Sequence, residues 1–77
     1  MGDINMIEIK IHGEFITLGQ LLKLANAVSS GAEAKLVIAD GLVLVNGEVE
    51  TRRGKKLHHQ DIVSFDGQDY LIKNEDL

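Results

Sequence analysis

The sequence predicts a small α+β domain, in which an N-terminal strand and two short helices in a helix-turn-helix-like pair pack on a mainly antiparallel sheet of about four to five short strands. Three observations carry this. Apolar and polar residues alternate from Ile7 to His12, as a half-buried strand requires. Two capping-box spacings, Thr17 to Gln20 and Ser30 to Glu33, each precede an apolar run. Asn46-Gly47 and Asp66-Gly67 each sit between apolar segments and mark two-residue hairpin turns. A chain of 77 residues makes one domain, residues 1–77, with a small core.

The elements follow in order. Over residues 6–12 the first strand puts Ile7, Ile9 and Ile11 on one face and Glu8, Lys10 and His12 on the other. Gly13-Glu14 ends the alternation, and a helix is expected from Thr17, with Ile16 and Leu21 placed for a hydrophobic staple. Leu18, Leu21, Leu22 and Ala25 share one side of it and Lys23 takes the wet side. Ser29-Ser30-Gly31 interrupts the helical pattern, and a second helix runs to Gly41, with Ala32, Ala34 and Ala39 small enough for close approach by a neighbour. Leu42 to Val45 and Glu48 to Glu50 form the first hairpin, and residues 62–72 the second.

The segment joining the hairpins carries the functional signal. Between Thr51 and His59 the chain holds Arg52, Arg53, Lys55 and Lys56 around Gly54, with no acidic residue. Without these four cations the rest has 4 Lys and Arg against 12 Asp and Glu, a formal charge of −8. A basic island on an acidic body points to a local anionic partner, although a solvated turn would have the same composition.

Several classes are disfavoured. The absence of Cys excludes a disulfide framework and, with three scattered His, argues against structural zinc. His58 and His59 with Asp61 are a poor metal set, because neighbours on extended chain point to opposite faces; they extend the basic surface instead. No nucleophile stands at a recognisable spacing from a base, so neither an enzyme nor a cofactor is expected. The start lacks a signal-peptide pattern and no apolar run spans a bilayer, which predicts a soluble, cytoplasmic protein.

Thr17 to Ala25, Ser30 to Lys35, Gly41 to Gly47 and Leu57 to Val63 resemble the RNA-binding domain first seen in small-subunit ribosomal protein S-four, with the alpha-L RNA-binding motif, over a core of about residues 16–63. Ile16 to Leu22 and Arg52 to Leu57 are similar to its stand-alone bacterial branch, the YaaA/YbcJ-like proteins. The resemblance implies a monomeric, non-catalytic protein that docks on structured RNA, ribosomal RNA or an assembling ribosome included. Carried over position by position, the RNA-binding candidates are Lys23, Ser30, Gly31, Lys35, Arg52, Arg53, Lys55, Lys56 and His58. Where many relatives have arginine this chain has Thr17 and Gly31, and Gln60 replaces a glycine common before the aspartate.

Each candidate has a plainer role beside it. Ser30 with Glu33 is a helix cap, Asn46-Gly47 is turn chemistry, and Lys23 and Lys35 are also ordinary surface lysines. Phe65 and Tyr70 fall in strands, which favours folded RNA over stacking of unpaired bases. Two other functions compete with RNA binding. A protein adaptor would use the acidic face and a sheet edge. A ubiquitin-like sulfur carrier shares the Val-Asn-Gly hairpin but needs a Gly-Gly terminus, whereas Asn74-Glu75-Asp76-Leu77 closes this sequence.

Overall fold

The computed structural model describes residues 6–77. Its strands are β1 (Met6–Ile11), β2 (Ile16–Thr17), β3 (Val43–Val45), β4 (Glu48–Val49), β5 (Lys56–Leu57), β6 (Ile62–Phe65) and β7 (Gln68–Asn74), with helices α1 (Leu18–Leu24) and α2 (Gly31–Ala39) between β2 and β3. Five strands form one sheet in the order β1-β7-β6-β3-β4, and β2 pairs with β5 in a separate two-stranded sheet. This is the expected α+β domain, with one parallel pair, β1 with β7, in an otherwise antiparallel main sheet.

The turn chemistry holds at both hairpins. Asn46 and Gly47 have φ of 51° and 87°, Asp66 and Gly67 φ of 53° and 78°, the positive pair that a type I′ turn requires. Register then aligns the apolar residues. Val45 lies opposite Val63, Val63 opposite Tyr70, and Tyr70 opposite Ile7, giving one row across four strands. Leu18, Leu21 and Leu22 of α1 and Ala34 and Ile38 of α2 join Val43, Val63 and Ile72 in a single buried cluster. Along β1 the cover thins toward the strand's start: Ile11 is buried and Ile9 half-buried, but Ile7 is 43% exposed. His12 lies just past the strand, where its Nδ1 is 3.3 Å from an Asp76 carboxylate oxygen.

Both helices end in the same way. After α1, Asn26 turns left-handed (φ 57°), so its N–H donates to the Lys23 carbonyl and that of Ala27 to the Leu22 carbonyl. After α2, Gly41 (φ 77°) does the same, with Gly41 N–H on the Ile38 carbonyl and Leu42 N–H on that of Val37. These paired bonds satisfy carbonyls that a helix end leaves open. The first helix therefore stops before the Ser29-Ser30-Gly31 break, because Asn tolerates the left-handed conformation that closes it. Of the three alanines expected to allow close approach, only Ala34 is buried; Ala32 and Ala39 face outward.

Asn46 and Asp61 bind the first hairpin to the segment before β6. Asn46 Nδ2 donates to Asp61 Oδ1 (3.1 Å), Ile62 N–H donates to Asn46 Oδ1 (2.9 Å), and Asp61 Oδ2 accepts from His58 N–H (2.7 Å). Beside Asp61, Gln60 adopts φ 78°, the one left-handed residue among those described that is neither Gly, Asn nor Asp. Its N–H is held by the Ile72 carbonyl at 2.8 Å, which fixes the strained conformation. Among the described residues no helix is long and apolar enough to cross a membrane.

Two substitutions should move stability in opposite directions. Leu22→Ala removes a fully buried side chain and should cost about 2–5 kcal/mol in urea unfolding. Gln60→Gly relieves the left-handed strain at a smaller cost in chain entropy, and should raise stability by about 0.5–1 kcal/mol in the same assay.

Candidate nucleic-acid interface

The basic loop is held by the start of α1. A helix leaves its first N–H groups unpaired, and here the loop's own backbone supplies acceptors. Leu18 N–H donates to the Lys55 carbonyl (2.9 Å) and Gly19 N–H to the Arg53 carbonyl (3.0 Å). Thr17 and Gln20 complete the predicted capping box, with Gln20 N–H on Thr17 Oγ1 (3.4 Å) and Thr17 N–H on Gln20 Oε1 (3.1 Å). Lys56 and Leu57 then pair with Thr17 and Ile16, and Leu57 is fully buried. The island is thus part loop and part strand, anchored at both the helix start and the core.

This docking creates a groove of about 240 Å³ between α1, the start of α2 and the loop. Lys23, Gly31, Arg53 and Gly54 line it, with Thr17, Gly19, Gln20 and Ala34 at its floor and walls. Three of the candidate residues, one from each segment, therefore meet in a single concavity. The Lys23 stem runs past Gly31, its Cδ 4.0 Å from where a Cβ would stand, an ordinary van der Waals distance. Lys35 is exposed on α2 and does not line this groove.

The N-terminus of α2 is less open than its spacing suggests. Ser30 Oγ accepts from Glu33 N–H (3.1 Å), as expected of an N-cap, but Glu33 does not return to Ser30. Its carboxylate instead accepts both the N–H and the hydroxyl of Ser29, each at 2.8 Å, and these bonds lower its pKa. A negative charge thus already sits at the positive end of this helix, and the Ser30 hydroxyl is engaged.

Beyond Gly54 the surface is dominated by cations. Arg52, Gly54, Lys55, Lys56 and His58 line a second concavity of about 450 Å³. Lys55, Lys56 and His58 also border a third, about 340 Å³, whose other side carries Glu48, Glu50 and Asp61. Arg52 is drawn toward that acidic side. Its Nε and Nη2 donate to the Glu50 carboxylate at 2.8 and 3.1 Å, and its backbone N–H adds a bond of 3.0 Å. The Glu50 side chain is largely covered (13% exposed) and the Arg52 side chain is open (72%), so Arg52 is oriented with part of its donor fork committed.

The two adjacent histidines part at a turn closed by Asp61 N–H on the His58 carbonyl (3.0 Å), not on extended chain, and only His58 extends the basic surface as expected of both. His59 turns inward, its Nδ1 accepting from Asn74 N–H (2.9 Å), while His58 is exposed. The His58 ring faces Phe15, with centroids 6.3 Å apart, and Lys56 Nζ stands 4.8 Å from the Phe15 centroid. Asp61 lies 3.9 Å from the His58 ring but gives its oxygens to Asn46 and the His58 backbone. Sequence reasoning missed two participants, Glu50 and Phe15. Glu50 lies outside any strand and turns its carboxylate onto the N–H and guanidinium of Arg52, which a spacing of two does not announce; Phe15 became visible only through the β2–β5 pairing.

Comparison with known proteins shows the family and the fold. Residues 9–73 match the S4 domain family. The chain is 49% identical over 59 residues to the "Probable ribosome maturation protein RlbA" of Bacillus subtilis, covering 77% of this chain and 83% of that one. It is 48% identical over 57 residues to YbcJ of Escherichia coli, covering 74% and 81%. The solution structure of YbcJ, described as revealing an alpha-L motif involved in RNA binding, superposes with a TM-score of 0.62 over 95% of this chain and 91% of that one, at 37% identity.

The Glu50–Arg52 pair has a readable pH signature. Arg52 holds the Glu50 carboxyl at about 2, below its ordinary 4.5, first through side-chain hydrogen bonds and then through its N–H. A lowered folded-state pKa stabilises above the ordinary value, and that contribution fades as pH falls from 4.5 toward 2. A carbon-detected NMR titration should place the Glu50 midpoint near 2, and Arg52→Ala should return it toward 4.5.

Proposed function

The chain belongs to the S4 domain family, and from that premise we propose that it docks on structured RNA, ribosomal RNA or a maturing ribosomal particle in particular. It is a binding domain and not an enzyme. The observation that carries the RNA reading is the groove where Lys23, Gly31 and Arg53 converge from two helices and the basic loop. A relative named for ribosome maturation and a solved neighbour described by its RNA-binding motif support the same direction.

Each residue has its own part in this reading. Arg53 presents a planar donor fork over the groove and Lys23 a mobile point charge on its far wall, so together they clasp one phosphate run. Gly31 keeps the start of α2 low enough for RNA backbone to approach. Lys55, Lys56 and His58 extend the binding surface along the strand, and Arg52, oriented by Glu50, flanks it. Ser30 serves by fixing where α2 begins, and Lys35 adds attraction from outside the groove. An A-form helix read by shape, phosphate and 2′-hydroxyl suits such a compact surface. We take the protein to act as a monomer in the cytoplasm, where ribosomes mature.

A double variant, Lys23→Ala with Arg53→Ala, tests the groove by fluorescence anisotropy against a structured ribosomal RNA fragment across a salt series. Affinity should fall, and the log-log salt slope should flatten by roughly 0.7–0.9 for each phosphate that the variant no longer neutralises. Lys10→Ala with Lys73→Ala, a change of equal charge on the paired strands β1 and β7, should leave the slope unaltered. A folded double variant that binds like wild type would show that the groove is not the RNA site.

A further inference from the structure

We infer that Phe15 is a stacking platform for one unpaired nucleobase beside the docked RNA helix, with its flanking phosphate received by Lys55, Lys56 and His58. This rests on the RNA-binding reading and adds to it a second kind of ligand chemistry. The argument begins with strand pairing. Ile16 lies opposite Leu57 and Thr17 opposite Lys56, and Ile16 and Leu57 face the core. Side chains alternate along a strand, so Phe15, Lys56 and His58 fall on the outward face, and continuing the register by one residue brings Phe15 opposite His58.

The distances fit that placement. The Phe15 and His58 rings are 6.3 Å apart and inclined at 52°, and the Lys56 ammonium stands 4.8 Å from the Phe15 centroid. Yet Phe15 stays 42% exposed, while the other two aromatic residues, Phe65 and Tyr70, contribute to the core. An exposed aromatic ring held between two basic side chains, next to a concavity of about 450 Å³ lined by Arg52, Lys55, Lys56 and His58, is suited to a nucleotide. The ring offers a π-face and the surrounding cations take the phosphate. Arrival of a base on the ring would release the Lys56 ammonium, whose flexible four-carbon stem carries it to the backbone.

The site reads an unpaired base without regard to its sequence, because every base has a π-face. The favoured RNA is therefore a stem ending in, or interrupted by, an unpaired nucleotide. The test uses one RNA stem in two forms, fully paired and with a single protruding 2-aminopurine. Wild type should bind the protruding form more tightly and quench its fluorescence. Phe15→Leu should weaken that binding by roughly 5- to 100-fold, abolish the quench and leave the paired stem unaffected, whereas Phe15→Tyr should retain both. Wild type that binds the paired stem but neither prefers nor quenches the protruding base overturns this inference alone. Wild type that binds neither RNA overturns the RNA-binding reading as well.

Discussion

Two hydrogen bonds hold the candidate site together: those from Leu18 and Gly19 N–H to the carbonyls of Lys55 and Arg53. They satisfy donors that any helix start must place somewhere, and in doing so they tie a loop more than thirty residues downstream to the first turn of α1. Every other feature of the surface follows from that tether. Arg53 lines the groove because its carbonyl is fixed to Gly19. Lys56 and Leu57 extend β2 because Lys55 is fixed to Leu18. Leu57, fully buried beside half-buried Ile16, then locks the register. Four like charges close together repel one another, so the loop needs such an anchor to remain one shape when no polyanion is present.

The same tether divides the cations into two groups. Arg53 shares its groove with Lys23 and the start of α2, whereas Lys56 of β5 and His58 just after it lie against Phe15. Gly54 lines the concavity on each side and lies between the two directions. Arg52 belongs fully to neither, since Glu50 takes part of its donor fork. A basic island that looks uniform in the sequence is therefore a graded surface, with a directed arginine, a paired arginine and two lysines of different exposure.

What the sequence made legible was whatever is settled within a few residues. The Thr17 capping box, both type I′ turns, the Gly41 helix stop and the buried face of α1 all depend on interactions at spacings of one to four, and the structure contains each of them. The family resemblance and the stand-alone YbcJ-like branch were readable too, because they rest on contiguous motifs. The parallel pairing of β1 with β7 was not, since Ile9 and Ile72 meet across most of the chain and alternation cannot name a strand's partner. Neither was the Glu33 bond to Ser29, because the Ser30 spacing fits two different capping geometries. The candidate site was half legible: residue types singled out the island and the family resemblance added Lys23 and Gly31, but their convergence, the pairing of Arg52 and the exposure of Phe15 are products of tertiary structure.

Net charge sets the field in which the proposed RNA surface would work. The whole chain carries a formal −4, so an RNA approaching at random meets repulsion over most of the body. Physiological salt screens exposed charges beyond about 8 Å, while the domain measures 35 × 31 × 21 Å. Acidic residues far from the island therefore scarcely weaken an interaction already made at Arg53 or Lys56, yet they oppose docking of any other face. Glu33 and Glu50 are different, because their bonds to Ser29 and Arg52 keep them beside the surface that would receive phosphate. On the proposed reading they limit the attraction locally and leave shape, through the groove and the Phe15 ring, to decide which RNA stays bound.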